Sequence, residues 1–115
     1  MSIDFDDYQE ATMETAIYPE AGEGTELALA YVGLGLASEA GEVAGKIKKI
    51  IRDSGGNITD EIIEAIKGEL GGVLWYVARV ADEIDTSFND VAEYNLSQLQ
   101  SRKQRGVIGG SGDNR

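Results

Sequence analysis

The stretch from Leu36 to Lys49, reading LASEAGEVAGKIKK, constrains the fold more than any other part of the chain. Its apolar residues recur every three or four positions, which at about 100° per residue gives one stripe along a helix. Glu39 lies at the edge of that stripe and Glu42 just beyond it. The alanines and glycines between them leave room for a second helix to approach. The pattern predicts a long amphipathic helix with two carboxylates near a helix–helix seam.

Carboxylates at a packing seam are costly to remove from water unless a cation compensates them, and Mg²⁺ prefers such oxygen ligands. The chain contains no His and no Cys, so any metal would be held by carboxylates, which favours Mg²⁺ or Mn²⁺ over zinc. The alternative is an ordinary acidic helix, because 21 of the 115 residues are Asp or Glu. A third acid, Glu69, is placed in a similar way on the next predicted helix and favours the metal site.

Length, net charge and cysteine content restrict the number of domains and the classes of function that the chain can have. A chain of 115 residues forms one domain with a modest core. The net charge of −11 argues against a nucleic-acid surface, because phosphate backbones are bound through Lys and Arg. An acidic protein can still bind a phosphate ester when a metal bridges the two anions. We expect no membrane span and no signal peptide, and the lack of cysteine fits a cytoplasmic location.

Apolar residues at helical spacing predict four helices and no strand, so the expected fold class is all-α. Thr59 and Ser87 are the predicted N-caps of the third and fourth helices, and Ser87 with Asp90 forms a capping-box signature. The predicted helices are 5–17, 26–52, 59–84 and 87–105. Residues 1–105 would form one helical domain, and residues 106–115 a glycine-rich tail without fixed structure.

Three glycines inside the predicted third helix, Gly68, Gly71 and Gly72, call for a reason, because each costs about 1 kcal/mol relative to Ala. Lys46 has two open interpretations: an ion pair with Glu42 one turn away, or a contact with a substrate phosphate.

Apolar residues also lie away from the main stripes, at Tyr31, Leu34 and Trp75. Four short helices cannot hide them all, which predicts contact with a second copy of the chain. For Trp75 we favour such a subunit contact over a platform for stacking a base.

The segments GLASEAGEVAGKIKK and KGELGGVLWY together resemble the small stand-alone MazG-like nucleoside triphosphate pyrophosphohydrolases. The hallmark of that family is Glu-x-x-Glu on one helix and Glu-x-x-Asp on the next, which jointly hold Mg²⁺. Glu39 and Glu42 match the first half, and Glu69 matches the first acid of the second half. The resemblance extends to Tyr18–Pro19, Arg52–Asp53, Asn95, Ser101–Arg102–Lys103 and the ending RGVIGGSGDNR.

The resemblance implies a four-helix bundle, assembled as a homodimer or a dimer of dimers. It also implies hydrolysis of nucleoside triphosphates to monophosphate and pyrophosphate, with Mg²⁺ and a role in nucleotide-pool house-cleaning. Glu39, Glu42 and Glu69 would be the metal-binding and catalytic residues. Lys46, Arg102 and Lys103 would lie near the phosphates, and Tyr76 and Asn95 near the sugar and base.

Gly72 departs from the family pattern, because it stands where the family has its last Asp. Three interpretations stay open: a weaker metal site completed by water, a protein that binds nucleotides with little or no catalysis, or a residue that was deliberately changed. The alternative function is therefore a catalytically weak nucleotide-binding or regulatory protein.

Overall fold

The computed structural model describes all 115 residues and contains four α-helices and no strand, which confirms the all-α class. A 3₁₀ turn, Met13–Thr15, follows the first helix and tightens its end, so this α-helix is shorter than predicted. The helices are α1 (Phe5–Thr12), α2 (Glu26–Ser54), α3 (Asp60–Glu83) and α4 (Phe88–Gln104).

Each helix begins at a polar side chain that accepts a main-chain N–H. Thr59 and Ser87 cap α3 and α4 as predicted, accepting from Ile62 and Asp90. Asp4 and Thr25 do the same for α1 and α2. These caps satisfy donors that would otherwise have no partner in the first helical turn, so local sequence fixes where each helix starts.

α2 and α3 form an antiparallel hairpin, which is the main packing pair of the molecule. The two helices approach closely where the ring of Tyr76 on α3 lies against Gly35 on α2. A Cβ atom at Gly35 would be only 2.1 Å from Cε1 of that ring. Gly35 therefore lets a side chain of the neighbouring helix reach the backbone of α2. A Cβ atom at Gly41 or Gly45, which we expected to make room for that helix, would meet nothing within 4 Å.

The four helices do not close into a bundle within one chain. Only 11 of 115 residues are buried, and the radius of gyration is 16.8 Å, against about 13 Å for a compact chain of this length. α4 contacts α1 and α3 but not α2. Phe88 is buried as predicted, whereas Val91 and Leu99, also expected to face inward, are 37% and 40% exposed.

A network of polar side chains is buried beside the small apolar core of Tyr18, Ala28 and Val32. Arg79 on α3, 2% exposed, donates from Nε to the hydroxyl of Tyr18 and from Nη1 to Oγ1 of Thr12, each at 3.2 Å. It also forms an ion pair with Asp82. Glu83, one turn further along α3, accepts a short hydrogen bond from the Tyr18 hydroxyl. We call Thr12, Tyr18, Arg79 and Glu83 the polar core.

The loop between α1 and α2 completes the polar core. Main-chain N–H groups of Gly22 and Gly24 donate to the Glu83 carboxylate at 2.8 and 2.9 Å. Both glycines have positive φ, 82° and 68°, which other residues rarely adopt. Burial by itself would raise the pKa of Glu83, but the hydrogen bonds from Tyr18 and the two glycines, with the charge of Arg79, outweigh it and lower that pKa.

By length and composition alone, α2 could cross a membrane, contrary to our expectation that no apolar segment would be long enough. This test is also passed by core helices of soluble proteins. α2 carries Glu39 and Glu42 near its middle, and acidic side chains at that depth of a bilayer are costly. The hydropathy of α2 is therefore weak evidence for a membrane-spanning role.

Candidate functional site

Glu39 and Gly72 face each other across the seam between α2 and α3. A Cβ atom at Gly72 would lie 2.5 Å from Oε2 and 2.8 Å from Cδ of Glu39. The carboxylate of Glu39 thus occupies the space that a side chain at position 72 would need. Nothing lies within 4 Å of a Cβ atom built at Gly68 or Gly71, so close packing within the chain explains one of the three glycines.

Glu69 lies three residues before Gly72 and pairs with Lys46 of α2. Its Oε1 atom is 4.0 Å from Nζ of Lys46, with the two side chains 24% and 38% exposed. Lys46 therefore has an acidic partner across the seam, whereas we had considered Glu42 on its own helix. At this distance and exposure the ion pair is weak, which leaves the ammonium group available to another anion.

The predicted convergence of Glu39, Glu42 and Glu69 on one ion is not found in the single chain. No three acidic side chains lie close enough together to hold a metal, and Glu42 is exposed. The donor set nevertheless fits Mg²⁺ in chemistry, because it consists of carboxylates on two facing helices. Glu39 and Glu69 both belong to the α2–α3 seam, which is where the sequence placed the site.

Tyr76 lies one turn after Gly72, beside the same seam. Its ring packs on Gly35 and meets Trp75 edge-on, with ring centroids 4.9 Å apart. Burial raises the pKa of Tyr76, and the neighbouring Tyr31 and the charge of Glu39 raise it further. The phenol therefore stays neutral and keeps its proton as a hydrogen-bond donor near the carboxylates.

Trp75 packs within its own chain, which argues against the predicted subunit contact. Its Nε1–H donates to Oγ1 of Thr15 at 2.9 Å, and its ring meets that of Tyr18 edge-on. Tyr31 stacks on Tyr18 with centroids 5.2 Å apart. Of the three apolar residues that we expected to contact a second copy, Tyr31 and Leu34 are exposed in the single chain, at 44% and 73%.

The predicted site residues of α4 are not brought to the seam. Asn95, Arg102 and Lys103 lie on a helix that makes no contact with α2, and Asn95 is exposed. Lys46 and Tyr76 share the seam with Glu39 and Glu69, so the single chain assembles only part of the predicted site.

Arg79 and Glu83 were not predicted as buried residues from the sequence. A signal was present, because two charges four residues apart interrupt the apolar run of α3, in VARVADEI. Charged residues in such a position are buried only when they are paired. Their hydrogen bonds are satisfied within the chain, so we assign them to stability and not to chemistry.

The chain thus combines an all-α fold with carboxylates at the seam of two helices. Residues 29–107 match the MazG nucleotide pyrophosphohydrolase domain, and the chain belongs to this family, which confirms the resemblance seen in the sequence.

A curated relative, the Gene 37 protein of Mycobacterium phage L5, is 53% identical over 111 residues, covering 96% of this chain and 97% of the relative. No solved structure matches the chain.

Proposed function

We propose that this protein hydrolyses nucleoside or deoxynucleoside triphosphates to monophosphate and pyrophosphate, as a Mg²⁺-dependent enzyme weakened by Gly72. Its role would be house-cleaning of the nucleotide pool in the cytoplasm. The observation that carries the proposal is the α2–α3 seam, where the Glu39 carboxylate rests against Gly72 and Glu69 lies three residues earlier on α3. Membership of the MazG family supports the class of reaction.

Glu39, Glu42 and Glu69 are the residues that would hold the ion. Mg²⁺ would neutralise the phosphates and polarise the phosphorus under attack. A carboxylate of this group would act as the general base, because the chain contains no His. Lys46 would leave its weak pair with Glu69 to meet a phosphate oxygen, since bonds between ammonium and phosphate are strong.

The remaining groups would position the nucleoside. The neutral phenol of Tyr76 would donate a hydrogen bond to the sugar or base at the edge of the seam. Asn95, Arg102 and Lys103 would reach the nucleotide from α4, and one chain does not bring α4 to the seam. We therefore include a second copy of the chain in the proposal, in which α4 of one copy approaches the seam of the other.

The exposed apolar surface supports such an assembly. Leu70, Val73, Leu74, Val77 and Phe88 line one groove on α3 and the start of α4. A groove of this composition favours burial against another protein surface. We propose a homodimer or a dimer of dimers as the functional form.

A second function, nucleotide binding with little catalysis, is favoured by Gly72. The position contributes no oxygen ligand, and MazG-like enzymes resembling this chain have Asp there.

Pyrophosphate release from a panel of dNTPs, with and without Mg²⁺, tests both proposals. We expect Mg²⁺-dependent release for the hydrolase, and dNTP binding without release for the alternative. If dNTPs are neither bound nor hydrolysed, both proposals are wrong.

Gly72→Asp tests the role of the missing ligand. With millimolar Mg²⁺ it should raise both the rate and the melting temperature, whereas without metal it adds like charge and should not stabilise. The end of the Glu39 side chain has to move aside for the new residue, which is feasible because that end is flexible. Gly72→Ala is the control and should show no Mg²⁺-linked gain. Absence of both gains in Gly72→Asp would remove position 72 from the metal site.

A further inference from the structure

Two segments outside the helices are held against a helix by hydrogen bonds. Residues 106–115 fold back on α4 instead of forming the unstructured tail that we expected, and Arg102 donates to the main-chain oxygen of Asp113 at 3.2 Å. The loop between α1 and α2 is held from α3, because three of its donors end on the carboxylate of Glu83. One of these donors is the hydroxyl of Tyr18, so this attachment also fixes an aromatic ring.

Glu83 leaves this loop little freedom. The Glu83 side chain is fully buried, and the N–H groups of Gly22 and Gly24 donate to it at 2.8 and 2.9 Å. Gly24 also lies close to the main chain of α3, because a Cβ atom at this position would be 3.2 Å from the main-chain oxygen of Glu83. The Tyr18 hydroxyl has a second partner in Nε of Arg79. The hydroxyl end of Tyr18 is therefore fixed, and with it the direction of the ring.

The ring of Tyr18 lies between two aromatic side chains, and both of them neighbour Tyr76. It stacks on Tyr31 of α2 with ring centroids 5.2 Å apart and meets Trp75 of α3 edge-on at 6.2 Å. Trp75 meets Tyr76 edge-on at 4.9 Å, and Tyr31 lies near enough to Tyr76 to raise the pKa of its phenol. No ring pair joins Tyr18 to Tyr76 directly. Tyr18 therefore reaches Tyr76 from two sides through intermediate rings.

Tyr76 lies at the α2–α3 seam. Its ring packs on Gly35, which is one helical turn after Tyr31. Tyr31, Gly35 and Glu39 are spaced by four residues, so they share one face of α2. Along the helix axis Glu39 lies about 12 Å from Tyr31. The aromatic contacts thus connect the loop held by Glu83 with the face of α2 that carries Glu39.

We infer that Tyr18 is a positioning residue that orients Tyr76 at the α2–α3 seam. It acts through its two ring neighbours and does not touch the nucleotide. Closely packed rings suit this role, because one ring cannot move without a shift of the rings that contact it. Only the consequence for the nucleotide rests on the proposed function, in which the phenol of Tyr76 contacts the sugar or base.

The position of the Tyr76 ring is tested without any ligand. With ¹³C-labelled tyrosine, NMR spectra give ring signals for the five tyrosines of the chain, and Tyr76→Phe identifies those of Tyr76. In Tyr18→Leu we expect the Tyr76 signals to shift. A pH titration should also bring the pKa of Tyr76 closer to the ordinary value of about 10, because Tyr31 moves away. Tyr18→Phe keeps the ring and should match the parent. Tyr94→Leu, on the exposed side of α4, is the matched control.

Kinetics with a dNTP test the consequence for the nucleotide. Tyr18→Leu should raise KM by about fivefold or more, the usual effect of losing one hydrogen bond, and should change kcat little. Tyr18→Phe and Tyr94→Leu should have the KM of the parent. A smaller folded fraction would lower kcat and leave KM unchanged, so a raised KM distinguishes positioning from stability. Circular dichroism at the assay temperature establishes that each variant is folded. If Tyr18→Leu does not fold, Tyr31→Leu replaces it with the same expected results, because Tyr31 is exposed and lies outside the polar core.

Four results overturn the inference: parental Tyr76 signals in folded Tyr18→Leu, a parental KM of that variant in an active enzyme, a Tyr18→Phe variant that behaves like Tyr18→Leu, or the same changes in Tyr94→Leu. If the parent neither binds nor hydrolyses any dNTP, the proposed function is wrong. The Tyr76 signals then decide alone whether Tyr18 positions that ring.

Discussion

The two halves of α3 place charged residues in opposite situations. Near its C-terminal end, Arg79 and Glu83 are buried, and partners from Tyr18, Thr12 and the α1–α2 loop satisfy them. Near its middle, Glu69 is partly exposed, its only cationic neighbour is Lys46 at 4.0 Å, and the facing Glu39 forms no ion pair. The first region is complete within one chain, and the second is not.

This difference distinguishes charged residues that stabilise the fold from charged residues that are able to bind a ligand. A buried ion pair with every donor and acceptor satisfied needs nothing further and is damaged by any change. Carboxylates held at a half-open seam, with only the Lys46 ammonium group 4.0 Å from Glu69, gain by binding a metal cation. On α3, therefore, the region around Glu69 is the candidate for chemistry, and the region around Arg79 and Glu83 stabilises the fold.

The sharpest test of this contrast is the pair Glu83→Gln and Glu39→Gln, with unfolding measured by urea in EDTA. Removing one charge from a buried pair costs about 3 kcal/mol, so Glu83→Gln should lose roughly that amount. Glu39→Gln should change stability by less than about 0.5 kcal/mol, as partly exposed substitutions do. Activity should show the reverse order, because Glu39→Gln removes a proposed ligand. Equal losses of stability would show that the seam is as complete as the polar core.

The Glu83 carboxylate also makes the stability of the fold depend on pH. This dependence accounts for part of the stability that Glu83→Gln should lose. The pKa of Glu83 is lowered in the fold, so its contribution is fully present above the unfolded pKa of about 4.3 and is lost as pH falls through the folded pKa. Urea melts between pH 7 and pH 3 should therefore show a smaller acid loss in Glu83→Gln than in the parent. An identical decline in both chains would contradict the lowered pKa.

At the other end of the pH range, burial and the adjacent Glu83 carboxylate raise the pKa of Tyr18. Its contribution is complete below the unfolded pKa of about 10 and is lost as pH rises through the folded pKa. In urea melts at alkaline pH, Tyr18→Phe should show a smaller loss of stability than the parent, and the loss that remains belongs to Tyr8 and Tyr76, whose pKa values burial also raises.

The sequence predicts only part of the contrast between the polar core and the α2–α3 seam. Periodicity and caps predicted all four helices, and they placed Glu39 and Glu69 on facing helices, because these features depend on residues a few positions apart. The polar core depends on Tyr18 meeting Glu83 across 65 positions, which no local pattern encodes. The position of α4 was also missed, since its inward residues lack a surface to cover within one chain.

The apolar groove on α3 tests whether a second copy completes the open region. Leu74 borders that groove, and Leu74→Glu should weaken association by about tenfold to a hundredfold, as expected for placing a charge in an apolar interface. Light scattering across a concentration series measures this, with Ile17→Glu, an exposed position in a loop, as control. A 12.3 kDa species for the parent at micromolar concentration would refute the assembly.

Gly35 tests the close approach that positions Tyr76 beside the seam. In Gly35→Ala the new Cβ atom would lie within 2.7 Å of three ring atoms, and such overpacking costs about 1–3 kcal/mol. Gly33→Ala, two residues earlier on the same helix with nothing within 4 Å, should instead gain up to about 1 kcal/mol from helix propensity. Urea unfolding of the two variants measures the difference, and equal stabilities would mean that the ring does not rest on Gly35.

The smallest effects come from the glycines of α3 and compare the seam with its own surroundings. Gly68→Ala has open space around its Cβ atom and should gain about 0.5–1 kcal/mol, the usual difference between Gly and Ala in a helix. Gly72→Ala has the same intrinsic gain, but its Cβ atom meets the Glu39 carboxylate at 2.5 Å, so Glu39 must turn away and the net gain should be smaller. Thermal melts in EDTA measure both. If Gly68→Ala destabilised the monomer at low concentration, the space around Gly68 would not be open. If Gly68→Ala lost stability only at concentrations where the parent associates, a second copy of the chain would lie against Gly68. If Gly72→Ala gained as much stability as Gly68→Ala, the Glu39 carboxylate would not be held against Gly72.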